Sequence, residues 1–228
     1  MLYFTGDTHG DAERLSKNAL KKLQIGDTLI ICGDFGFIWD GSAKEQKFLD
    51  RLEKYRFNIC FLDGTHENFE LLEKYPLVPY CAGAARRIRR NVFHLLRGQI
   101  YEIEGKSVFT LGGGEAPEAL MRSDEELDVK RPEVPSKQDM LTGVENLQEY
   151  GYKVDYIATH EPPAKIRDFL SPTARQISEI SALGAFLDEL MKTARFSRWF
   201  FGSLHTDKFI SRSFTSVFTE IVPASDEE

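Results

Sequence analysis

"LYFTGDTHGD", residues 2–11, starts with four residues of apolar or β-branched character and runs through a glycine into Asp7 and His9. So short an apolar run suits a strand buried on both faces. Two more runs have the same plan, "TLIICGDFG" (28–36) and "NICFLDGTHEN" (58–68). Between them, residues 11–23 and 43–55 space their apolar side chains by three and four, which predicts helices packed on a sheet. The opening is therefore βαβαβ, which requires a parallel sheet and predicts an α/β fold.

Residues 86–112 hold several strand-like runs separated by turn residues and predict antiparallel strands or hairpins. Residues 114–137 are polar and predict a long surface loop, a candidate lid over a site. A helix over about 138–150, the strand "VDYIAT" (154–159) and three closing strands follow. Before the closing strands, a second amphipathic helix carries Ile180, Leu183, Leu187, Leu190, Met191 and Ala194. No repeat or linker divides the chain, so one domain over residues 1–228 is expected.

At 228 residues and 42% hydrophobic, the chain can bury a sizeable core. No long apolar segment argues for a membrane span, and a soluble cytoplasmic protein is expected. Cys32, Cys60 and Cys81 are odd in number and lack C-x-x-C spacing, which predicts reduced thiols. The net charge of -7 opposes general nucleic-acid binding.

Ligands of open α/β sheets bind beyond the carboxyl ends of the strands. Four of the five histidines, His9, His66, His160 and His205, directly follow apolar runs, whereas His94 lies within one. Asp7 and His9, at i and i+2, can present a carboxylate and an imidazole on one side of an extended segment, a usable pair for a divalent cation. Asp34, from the adjacent strand, could reach the same ion.

These blocks resemble the calcineurin-like metallophosphoesterases, whose signature runs D-x-H, G-D, G-N-H-[DE], H and G-H-x-H at strand ends. The match extends from Asp7 to His205 and is most similar to compact bacterial and phage members that begin "GDTHGD" and carry "IICGDFG". The resemblance implies a four-layer α-β-β-α sandwich, two mixed β-sheets flanked by helices. It implies Asp7, His9 and His205 on a first metal, Asp34 bridging to a second and also catalytic, His160 on that second metal, and His66 as the catalytic histidine. The metals implied are divalent, manganese first, with iron, zinc, nickel or magnesium as alternatives. The implied reaction is hydrolysis of a phosphomonoester or phosphodiester by a metal-activated hydroxide, on a substrate such as a nucleotide or phosphoprotein. The block "GDFG", in place of G-D-x-x-D-R-G, lowers the case for a protein phosphatase.

Two positions depart from the pattern. Thr65 stands where the family has asparagine, and Ser203 where it has the first histidine of G-H-x-H. Both losses fall on the second metal, which a hydroxyl ligates poorly, so that site is expected to be weak or absent. The alternative is an impaired pseudo-phosphoesterase, or a variant engineered to be inactive, that binds a phosphate-containing ligand or a protein partner. Arg86, Arg87 and Arg97 are candidate substrate contacts, against the reading of "RRIRRN" (86–91) as a solvated strand face. Glu67 or Asp63 is expected to orient His66, and Glu161 to support His160 or stand exposed. The glycines of "GGGE" (112–115) suggest close backbone approach at the mouth of the site. Phe35, Phe37 and Trp39 are expected to pack.

Overall fold

A computed structural model describes residues 1–115, 131–170 and 181–225. Its first sheet has seven strands. β1 (Leu2–Thr5), β2 (Thr28–Ile31), β3 (Asn58–Phe61) and β6 (Val92–Leu95) run parallel, with Phe4, Ile30, Cys60 and Phe93 in one register row. β5 (Gly83–Arg89) and β4 (Leu77–Tyr80) add an antiparallel edge, and β13 (Val222–Pro223) pairs antiparallel with β1. The second sheet has six strands. β8 (Lys106–Leu111), β9 (Tyr156–Thr159), β10 (Arg198–Phe201) and β12 (Phe214–Ser216) are parallel, flanked by β7 (Gln99–Ile103) and β11 (Lys208–Ser211).

Strand periodicity sorts the side chains into three cores. Phe4, Ile30, Cys60, Ala158 and Phe200 pack between the sheets, where the rings of Phe4 and Phe200 stack with centroids 3.9 Å apart. The alternate residues Tyr3, Leu29, Ile31, Ile59 and Phe61 face outward onto Leu49 and Leu52 of helix α1 (Ala43–Leu52). On the other side Ile157, Trp199 and Phe201 meet Leu147 of α3 (Lys137–Glu149) and Leu183, Leu187 and Leu190 of α5 (Ala182–Thr193). The result is the four-layer α-β-β-α sandwich. Burying a large apolar side chain such as Phe200 contributes about 1.5–3 kcal/mol, so the three cores fix the strand ends firmly. The helices start where caps allow: Ser42, Ser136 and Ser181 each accept a backbone N–H of the first turn, and Ser136 forms a capping box with Asp139.

Several expectations are corrected. The stretch 11–23 is only a 3₁₀ turn, Ala12–Leu15, followed by further turns. Helices α2 (Phe69–Leu72) and α4 (Ala164–Leu170) and strand β4 were not foreseen, and among the described residues four closing strands follow α5 rather than three. Of the candidate lid, residues 116–130 lie outside the described residues, as does Ile180. Cys32, Cys60 and Cys81 are free thiols. Among the described residues no helix is long and apolar enough to cross a membrane.

Candidate metal centre

The loops after β1 and β2 are laced together at the carboxyl end of the first sheet. His9 N–H donates to Asp34 O at 2.8 Å, Gly10 N–H to Phe35 O at 3.1 Å, and the Thr8 hydroxyl to Phe35 O at 2.8 Å. The loop after β10 joins the loop after β9, because Gly202 and Ser203 both donate their N–H groups to His160 O. His9, Asp34 and His205 all take left-handed backbone conformations, with φ of 45°, 44° and 50°. Each costs about 1–2 kcal/mol for a residue with a Cβ. Their side chains converge on Asp7 at the end of the sheet.

Asp7, His9, Asp34 and His205 each offer one ligand atom, and these atoms lie within 4.8 Å of one another. His9 Nε2 is 3.1 Å from His205 Nε2 and 3.6 Å from Asp34 Oδ2, while His205 Nε2 is 2.9 Å from Asp7 Oδ2. Both oxygens of Asp7 are buried, and no hydrogen bond of acceptable geometry reaches either. Two imidazole nitrogens turned toward one another over such a carboxylate are the arrangement a shared divalent cation satisfies. Nitrogen donors about 2.0–2.1 Å from one ion stand roughly 3 Å apart. The donor set of two imidazoles and two carboxylates suits manganese, iron, zinc or nickel. Backbone without side chains leaves room for it: a Cβ on Gly64 would lie 2.0 Å from Asp34 Oδ1, and one on Gly202 would lie 2.3 Å from Asp7 Oδ1.

Burial alone would raise the Asp7 carboxyl, but His160 and His205 outweigh it and hold the group well below the usual carboxylate range. His160 is fully buried, and despite the cost of burying its charge, Asp7 raises it to about 10. Proton and cation therefore compete for the imidazole nitrogens beside Asp7. His160 Nδ1 lies 3.1 Å from the Cys32 carbonyl, which can only accept, so this nitrogen carries hydrogen and Nε2 is the one left for a ligand.

A family model for calcineurin-like phosphoesterases matches residues 2–207. The chain belongs to this family. Its members hydrolyse phosphoesters with divalent metals. The structure is also similar to that of a phosphopantetheinyl hydrolase from Mycobacterium tuberculosis, at 13% identity and a TM-score of 0.46, covering 95% of this chain and 89% of that one. No curated protein sequence matches it.

Within this phosphoesterase chain the remaining candidates separate into two groups. His66 stays beside the cluster: its N–H donates to Asp34 Oδ1 at 2.8 Å, its Nδ1 lies 3.0 Å from Asp34 Oδ2, and more than half of its side chain is exposed. Thr65 Oγ1 is occupied with His66 Nδ1 at 2.9 Å, and Ser203 Oγ donates to Glu161 Oε2 at 3.3 Å. Glu161 is buried rather than exposed, is paired with Arg167, and its charge is among those that raise His160.

The three arginines do not join the cluster. Arg97 is bound to Asp63, Asp139 and the carbonyls of Pro132 and Glu133; Arg86 donates to the carbonyls of Glu73 and Tyr75; Arg87 lies exposed on β5. Glu67 and Asp63 do not orient His66 either. Glu67 accepts the N–H of Phe35 at 2.6 Å and so holds the Asp34 turn, and burial together with the Asp34 charge pushes its carboxyl well up. Asp63 binds His94 and Arg97. Phe35 and Phe37 pack, whereas Trp39 is 55% exposed. Arg167 was not foreseen at all, because nothing in "HEPPAKIRDF" (160–169) marks it before the fold brings α4 to Glu161.

Proposed function

We propose that the protein is a metal-dependent hydrolase of phosphomonoesters or phosphodiesters, with one firm cation site formed by Asp7, His9, Asp34 and His205. The observation that carries this reading is the convergence of four ligand atoms within 4.8 Å around two unsatisfied buried oxygens. These four residues would hold a divalent cation, manganese by preference, which when bound would supply Lewis-acid activation of water and neutralise phosphoryl charge. Asp34 fixes the His66 ring through Nδ1, which leaves Nε2 to donate a proton to the leaving oxygen. The new P–O bond forms from water, whose proton passes to solvent, as the P–O bond to the leaving group breaks.

The second cation position is weak, since the hydroxyls of Thr65 and Ser203 are already committed to His66 and Glu161. That same observation favours a second reading, a binding protein with little turnover. Three unpaired cysteines fit a reducing, cytoplasmic setting. The test is hydrolysis of nitrophenyl phosphate and bis-nitrophenyl phosphate with manganese, beside Asp34→Asn. Turnover lost in Asp34→Asn supports the hydrolase. No turnover, with tight manganese and phosphate binding, establishes the binding protein.

A further inference from the structure

We propose that Arg167 is an oxyanion-binding residue of this site, gripping the phosphoryl oxygens from the side where a second cation would otherwise act. The inference rests on the metal-centred reading above.

The two substituted positions and one ion pair meet at a single carboxylate. Glu161 Oε2 accepts from Ser203 Oγ at 3.3 Å and from Arg167 Nη2 at 2.9 Å. On its other side the carboxylate faces Thr65 across Gly114, since a Cβ on that glycine would lie 2.8 Å from Glu161 Oε1 and 3.0 Å from the Thr65 methyl. Thr65, Glu161 and Ser203 therefore line one wall; Glu161 directly follows His160, and the Ser203 N–H donates to His160 O. Arg167 closes that wall from α4, which is anchored because Lys165 N–H donates to the buried Asp188 carboxylate at 3.1 Å.

The guanidinium is under-used. Among the described residues Glu161 is its one ion-pair partner, and Nε is buried without an acceptor, while 35% of the side chain remains exposed. A buried charged donor without an acceptor is costly, and arginine elsewhere in proteins spends this surplus on bidentate contacts with carboxylate or phosphate. Electrostatics point the same way. A phosphate dianion approaching Asp7, Asp34 and Glu161 needs more positive charge than one divalent ion supplies. Arg167 cancels the Glu161 charge, so the dianion meets one negative charge fewer, and its remaining N–H groups are free to donate. A phosphoryl oxygen is the ligand chemistry that fits both the charge and the fork.

The experiment is calorimetric titration of inorganic phosphate into the whole protein, with and without manganese, for the unchanged chain, Arg167→Ala, and the double variant Glu161→Gln plus Arg167→Gln. The double variant removes the pair together, so no buried charge is stranded and folding is preserved. Expected is a loss of phosphate affinity of about 10- to 100-fold in both variants, with manganese affinity unchanged and KM raised more than kcat is lowered. Arg167→Lys recovers part of the loss, because the charge returns without the fork. Phosphate affinity unchanged in the double variant would overturn the proposal and leave Arg167 as a counter-ion to Glu161. Manganese failing to bind the unchanged protein would instead break the reading of the metal centre, while the metal-free phosphate titrations still decide the role of Arg167.

Discussion

Asp7 and Asp63 are both buried aspartates at the carboxyl ends of parallel strands, β1 and β3, that β2 separates, each beside a histidine, and their surroundings differ. Asp63 is saturated: Arg97 Nε donates to Oδ2 at 2.8 Å, and His94 Nε2 lies 3.1 Å from Oδ1, with the His94 ring stacked on Phe61. Asp7 is equally buried, yet neither oxygen has a hydrogen bond of acceptable geometry. A buried carboxylate with a guanidinium in place is neutralised by the fold itself, whereas one surrounded by imidazoles and lacking such bonds offers a charge that a cation would neutralise. The difference lies in the partners rather than in the depth of burial.

The comparison breaks most sharply in turnover. Asp7→Asn should reduce manganese-dependent hydrolysis by more than about 10³-fold, since the Lewis-acid contribution is worth several kcal/mol. Its urea midpoint in EDTA should match or exceed that of the unchanged protein. Asp63→Asn should show the reverse, losing about 3–5 kcal/mol in urea unfolding because Arg97 is stranded; a loss below 1 kcal/mol would remove the structural role assigned to Asp63.

Metal removal gives a smaller effect. Saturating manganese, at 100 times its Kd, should stabilise the unchanged protein by about 2.7 kcal/mol relative to EDTA, and this difference should persist in a folded Asp63→Asn but vanish in Asp7→Asn. Smallest is the pH effect. Burial raises the Asp63 carboxyl, but the Arg97 charge and the His94 hydrogen bond outweigh it, and the group lies well below its ordinary value. Its contribution is thus present above the unfolded value near pH 4 and is lost as pH falls, at up to about 1.4 kcal/mol per pH unit. Subtracting the Asp63→Asn curve from that of the unchanged protein isolates this slope, and parallel curves below pH 4 would contradict it.

The parallel strands were legible because their apolar runs are short, continuous and followed by glycine. The stretch 11–23 misled because local side-chain bonds compete with helix: Asp11 accepts the Glu13 N–H and Ser16 the Ala19 N–H, so turns form while Leu15, Leu20 and Leu23 are still buried. Strand β4 was hidden by Pro79, which the fold tolerates because β4 is an edge. The same contrast holds in the site. Asp7, His9, Asp34 and His205 follow strands directly and could be picked out from order alone. Contacts that only tertiary structure creates could not, which is why Glu67 bound to the Asp34 turn, Asp63 bound to Arg97, and Arg167 bound to Glu161 went unread.

The left-handed backbone at His9, Asp34 and His205 also bears on how this chain would evolve. Glycine adopts that conformation without a Cβ penalty, so a population selected for heat resistance alone would drift toward glycine or asparagine at these three positions. Glycine at any one of them in a descendant would mark the lineage that traded its cation for stability.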